Sequence, residues 1–185
     1  MDGDELRAIQ QPLKTTYRER PDAALDTLHA QGTLGEEAIS CSVDTGRALA
    51  EAGLHPATGG DGSWVCSGDM LLQALVACAG VTLRSVAVSL GLEVRGGTVR
   101  ADGDLDFRGT LAVDKAAPVG LQDIRLTFEL DTDADEEQLA TLLRLTERFC
   151  VVYQTPRTPP EMSISSSTVS SGGISSGIRD HAARA

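Results

Sequence analysis

Aromatic side chains are nearly absent: Phe, Trp and Tyr together make up 3% of the 185 residues. A core must then be assembled from Leu, Val and Ala, and a hydrophobic share of 41% is enough to build one. Positive charge is also scarce. Lys and Arg number 16 against 27 Asp and Glu, giving a net charge of -11. With no basic stripe, nucleic acid and anionic membrane surfaces are excluded as partners. The opening MDGDELRAIQ is acidic, without the basic start and apolar run of a secretory signal, so a cytoplasmic location is expected.

Phosphate-binding patterns are missing as well. The Gly-rich stretch GLHPATGGDGS at 53–63 contains neither GxxxxGK[ST] nor GxGxxG, and reads as a connecting loop. The three histidines, His29, His55 and His181, have no spacing for a metal or a catalytic dyad, and read as surface residues. Four cysteines occur, Cys41, Cys66, Cys78 and Cys150, with no CxxC and no zinc pattern. No metal and no cofactor are expected. In a reducing compartment a disulfide scaffold is not expected either.

What is present is helical periodicity interleaved with strands. Residues 4–31 read as two helices, the first kinked by Pro12 and the second started by Pro21 and ended before Gly32. Alternation over 36–45 reads as a strand. The segment from Ser67 to Leu90 carries only Asp69 and Arg84 as charges, so it predicts a long central helix. It is long enough to span a bilayer, but Gln73, Gly80, Thr82, Arg84, Ser85 and Ser89 favour a buried soluble helix. Ser67 is the expected N-cap, Asp69 complements the helix dipole, and Gly91 ends the helix.

Residues 92–130 read as strands, with Gly96–Gly97 as a hairpin turn or bulge and Ile124, Leu126, Phe128 and Leu130 on one face. A second helix is expected from about Asp135 to Phe149, with Cys150 on its apolar side at or just past its end and TPRTPP stopping any helix beyond. A last strand is expected near 162–169, then a mobile Ser- and Gly-rich tail.

One cysteine thus sits inside an apolar helix, and another ends a second helix. If the helices pack at the small residues Ala74 and Ser85, the two thiols can meet. Two readings stay open. Buried free cysteine is commonly inert packing. A reactive pair could instead reduce a peroxide: a thiolate becomes a sulfenic acid, which a second thiol converts to a disulfide. That route needs a nearby cation to ionise the first sulfur. Cys41, in a strand with Ile39 and Val43, reads as core, and Cys66 precedes the central helix, where a thiol can be activated.

The run DMLLQALVACAGVTLRSVA resembles the central-helix motif of the OsmC/Ohr family of thiol peroxidases, and ERFCVVYQT resembles that family's second cysteine segment. The resemblance covers roughly residues 36–170. It implies an α+β, OsmC-like fold built as an intertwined homodimer, two long central helices wrapped by antiparallel sheets. The domain would occupy 34–170, with a helical extension at 1–33 and a tail at 171–185. It implies reduction of organic hydroperoxides, with electrons from a dithiol such as a lipoyl group. Cys78 matches the peroxidatic position and Cys150 the resolving one. Arg47, in VDTGRALA, is the best match to the activating arginine, ahead of Arg18 and Arg20. Where hydroperoxide reductases have Pro-Glu before the central helix, this chain has Gly68-Asp69. Asp69 is the candidate replacement, although nine residues place it on the opposite face from Cys78. Glu147, one turn before Cys150, is another carboxylate at the expected site. An alternative reading is an OsmC-like binding protein for an apolar small molecule, its thiols merely lining the pocket.

Overall fold

In the computed structural model, residues 49–166 are described continuously, together with 2–5, 8, 10–11, 15, 19–20, 31–34, 40–44, 169–170, 173–174 and 179–181. Positions 3–5, 8, 10, 11, 15 and 19 are helical; the second expected helix lies outside the described residues over 21–30, and its last residue, Gln31, is instead the first of a strand.

The first sheet holds four strands in the order β1 (Gln31–Leu34), β2 (Ser40–Asp44), β3 (Leu49–Gly53) and β4 (Val65–Cys66). The first three are antiparallel, and β4 lies parallel to β3 with Cys66 opposite Gly53. The strand expected at 36–45 is β2. Strands β1 and β3 were not anticipated, because GTL and LAEAG are too short and too small-sided to show alternation.

Strand β4 runs directly into α1 (Ser67–Leu90). Its N-cap is Cys66, not the expected Ser67, which is already the first helical residue. No side chain caps this end, so the sequence preference for serine as a cap is overridden by where the strand delivers the chain. The other end follows expectation. Gly91 takes φ +69°, and the amides of Gly91 and Leu92 close on the carbonyls of Val88 and Ala87 at 3.2 and 2.9 Å. This left-handed stop suits glycine. Arg84 turns its guanidinium to the Val94 carbonyl and fastens the outgoing chain.

Strands β5 (Gly96–Asp104) and β6 (Gln122–Asp131) form an antiparallel hairpin, connected through a four-residue helix, α2 (Phe107–Thr110). The Gly96–Gly97 pair is no turn, as the sequence had suggested; both residues lie in β5, opposite Asp131 and Leu130. Gly97 has φ +142°, and a Cβ there would meet the Glu129 carbonyl oxygen at 2.2 Å, so a close backbone approach explains this glycine. The expected alternation of β6 holds: Ile124, Leu126, Phe128 and Leu130 are each less exposed than their neighbours.

Helix α3 (Glu136–Phe149) begins with a reciprocal capping box. Asp135 accepts from the Gln138 amide at 2.8 Å, and Gln138 accepts from the Asp135 amide at 3.0 Å. A further helix, α4 (Val151–Arg157), follows at once. The stop expected from TPRTPP therefore comes later than read. Pro156 is inside α4, so the helix runs through the first proline of that segment and ends at Arg157. Strand β7 (Ile164–Ser166) lies in the expected last strand and β8 (Val169–Ser170) begins at its end; they pair with β10 (Arg179–His181) and β9 (Gly173–Ile174) respectively, strands in the stretch that was expected to be a tail.

By length and composition alone α1 could cross a membrane. Here its residues Leu75, Ala79, Leu83, Val86 and Ala87 form a buried stripe. One cluster joins Leu83, Val86, Ala87 and Val94 to Leu142, and a second joins Leu75 and Ala79 to Cys150. Phe128 touches both. Leu142 is 0% exposed at the centre of the first cluster, so Leu142→Ala is expected to cost about 2–5 kcal/mol. Asp135→Ala, which removes only the cap, is expected to cost about 1 kcal/mol. Equilibrium urea unfolding of both variants against the parent checks the order of the two losses.

Candidate functional site

The site is built where α3 gives way to α4. Cys150 is the C-cap of α3 and the N-cap of α4, with extended backbone at φ -75° and ψ 106°. Its amide bonds back to the Thr146 carbonyl at 2.9 Å, and its carbonyl accepts the Gln154 amide at 3.0 Å. One residue thus closes one helix and opens the next. Its side chain is 0% exposed, packed against Leu75 and Ala79 of α1. Cys78 is half-buried at the edge of the same cluster.

The two thiols thus share one packed cluster. Their surroundings differ. Burial pushes the Cys78 thiol up, but the Val152 amide, the Cys150 thiol, the Thr82 hydroxyl and the Val151 amide all direct hydrogen bonds at its sulfur, and together they hold it below the ordinary thiol value. Val151 and Val152 are the first two residues of α4, whose amides have no partner within the helix. For Cys150, burial dominates and pushes the thiol up; an anion at Cys78 would push it further in the same direction. Of the two sulfurs, Cys78 is the more readily ionised, which makes it the better candidate nucleophile.

A cavity of about 160 Å³ adjoins Cys150, lined by Leu126, Phe128, Leu143, Thr146, Glu147 and Tyr153. Glu147 is paired with Arg157, whose guanidinium lies over the Tyr153 ring at 5.8 Å. Gln154 donates to the Glu147 carbonyl at 2.8 Å. These contacts clasp α3 to α4 across the junction.

The other candidates fall elsewhere. Arg47 and Arg18 lie outside the described residues, and Arg20 is exposed. Asp69 is exposed in the first turn of α1, about 13 Å along the axis from Cys78 and on the other face. It lines a separate cavity with Cys66, His55 and Phe107. His55 has a structural occupation: its Nδ1 accepts from the Ala57 amide at 3.0 Å, and its ring stacks on Phe107 at 4.8 Å. Cys41 is in β2 and His181 in β10, with side chains outside the described residues, as is His29 altogether. Among the described residues no group of three or more His, Cys, Asp or Glu is placed to hold a metal. Sequence reasoning missed the donors around Cys78. Thr82 enters the sequence only as one of the polar residues that favour a soluble helix, and the Val151 and Val152 amides carry no side-chain signature at all. The one available clue was a cysteine placed directly between two helices, where free amides gather.

A model of the OsmC-like protein family matches residues 60–165. Among solved structures, an OsmC-like protein from Mycoplasma pneumoniae is similar over 72% of this chain and 89% of its own, with TM-score 0.61 and 15% identity. An organic hydroperoxide resistance protein OsmC from Legionella pneumophila matches over 72% and 91%, at TM-score 0.54 and 15% identity. An organic hydroperoxide resistance protein from Elizabethkingia anophelis matches over 73% and 91%, at TM-score 0.52 and 17% identity. No curated protein matches this sequence.

The unequal pair can be read out directly. Iodoacetamide labelling across pH, followed by peptide mass spectrometry, is expected to modify Cys78 at lower pH than Cys150. The sign follows from linkage. Cys78 sheds its proton at lower pH folded than unfolded, so in that interval the unfolded chain binds more protons and this group's contribution to stability rises with pH. Labelling of both thiols with one common midpoint would contradict the asymmetry.

Proposed function

The chain belongs to the OsmC-like family, and on that premise we propose that it is a thiol-dependent peroxidase that reduces organic hydroperoxides. The observation that carries this reading is the meeting of two unequal thiols on packed helices. The Cys78 thiolate attacks the outer oxygen of the hydroperoxide. The O–O bond breaks, Cys78 becomes a sulfenic acid, and the alkoxide leaves as the alcohol after taking one proton. Cys150 then attacks the sulfenic sulfur, water leaves, and a Cys78–Cys150 disulfide forms. An external dithiol, such as a lipoyl group, returns both thiols by exchange and is itself oxidised to its disulfide.

In this reading Cys78 is the peroxidatic and Cys150 the resolving residue. Arg47 adds a cation that polarises the peroxide, while Asp69, remote from Cys78, serves the dipole of α1. Val81, Phe149 and Val151, at 72, 57 and 67% exposure, place apolar surface beside the two cysteines. That surface supports a homodimer in which a second copy covers it, and it suits hydrophobic hydroperoxides. A second reading draws on the apolar cavity beside Cys150: a binding protein for an apolar small molecule, with little peroxidase activity.

One equivalent of cumene hydroperoxide should consume two thiols and yield one alcohol, with a Cys78–Cys150 cross-linked peptide by mass spectrometry. Cys150→Ser should stop at the sulfenic acid or pass to over-oxidised Cys78. A Cys78 thiol that stays free over minutes sinks the peroxidase. Ligand binding retained in Cys78→Ala, with peroxide consumed no faster than by free cysteine, would favour the binding protein.

A further inference from the structure

Strand β6 turns Ile124, Leu126 and Phe128 to one side, and two cavities lie along that side. The first, about 160 Å³, stands over Leu126 and Phe128 and reaches Cys150. The second, about 440 Å³, stands over Ile124 and is backed by Leu75 of α1. Residues two apart on a strand are about 7 Å apart, so the cavities are neighbours on one floor. Leu75 and Cys150 belong to one cluster, which joins the two from the α1 side as well.

Of the lining residues, Tyr153 is common to both cavities. Its ring is held in place: the Arg157 guanidinium lies over it at 5.8 Å, and Arg157 is paired with Glu147. Glu147 lines the first cavity and Arg157 the second, so the ion pair passes the ring from one to the other. Tyr153 and this pair form the partition in a trough that the β6 floor would otherwise leave continuous. Thr146, a polar residue of the first cavity, spends its hydroxyl on the Leu142 carbonyl at 2.8 Å. The lining left to a guest there is apolar, so selection is by size. A cavity of about 150 Å³ takes a guest the size of benzene. One ring or a short branched alkyl group fills the space beside Cys150, and a longer group meets Tyr153.

The geometry points to Tyr153 as a specificity-determining residue, whose ring divides the trough and limits the organic group held beside the thiol pair to a compact aryl or branched alkyl group. The inference rests on the peroxidase reading for its substrate, but not for its test. The test compares cumyl alcohol with decanol, the compact and the elongated product of such a reaction, in competition with the neutral dye Nile red on the full chain. The readout is the ratio of their dissociation constants. Tyr153→Ala opens the partition and should move that ratio about tenfold toward decanol, the worth of roughly two further buried methylenes. Tyr153→Leu keeps an apolar side chain packed on the Leu75 and Cys150 cluster and should move the ratio the same way; it carries the test if the alanine variant does not fold. Tyr153→Phe keeps a ring under Arg157 and should leave the ratio at the parent value. A ratio that stays in place once the ring is gone overturns the proposal, and so does a phenylalanine variant that shifts as far as the leucine variant. A merely structural role for Tyr153 would weaken both alcohols together and leave their ratio unmoved. Neither alcohol has an O–O bond. A chain inert to cumene hydroperoxide would therefore refute the peroxidase reading and leave this measurement intact.

Discussion

The whole site depends on a break of one residue between two helices. Had the helix continued through Cys150, the Val151 and Val152 amides would have been spent on carbonyls of the preceding turn. Because Cys150 adopts extended backbone, those amides are released, and α4 starts with them facing the Cys78 sulfur. The break is held from both sides. The Thr146 carbonyl takes the Cys150 amide, Gln154 reaches back to the Glu147 carbonyl, and Arg157 pairs with Glu147. Burial of Cys150 against Leu75 and Ala79 sets the junction on α1 at the height of Cys78.

Two opposing effects then compete at each sulfur. Taking a thiol out of water disfavours its anion, and hydrogen bonds to the anion favour it. At Cys78, half-buried and met by four donors, the hydrogen bonds win. At Cys150, fully buried, desolvation wins. The asymmetry needs no charged partner among the described residues; the amides of α4, with the Cys150 thiol and the Thr82 hydroxyl, supply it. A guanidinium would add to an ionisation already favoured.

Much of this was legible in the sequence, for particular reasons. The apolar run Ser67–Leu90, the alternation of β6 and the stripe of α3 are periodic signals, and each appears where expected. The pairing of Cys78 with Cys150 followed from the two motifs in order. Failures came where tertiary context overrides local chemistry. Ser67 was read as a cap because serine prefers that role, yet the incoming strand puts Cys66 there. Gly96–Gly97 resembled a turn, although its purpose is close approach to β6. The remoteness of Asp69 from Cys78, by contrast, was already legible from nine residues of helical spacing. The amide donors could not be read at all, because backbone groups are identical at every residue until the fold points them somewhere.

The same donors bear on the direction of the proposed cycle. They favour a thiolate over a thiol and over either sulfur of a disulfide, which is a poor acceptor. Stabilising the reduced, ionised state makes the corresponding disulfide a stronger oxidant, more readily opened by an incoming dithiol. A low thiol pKa at Cys78 also makes it the better leaving sulfur when the disulfide is opened. The hydrogen bonds that prepare the sulfur for peroxide are then waiting to receive it again. Activation and recovery in this site are one electrostatic arrangement, used in both directions.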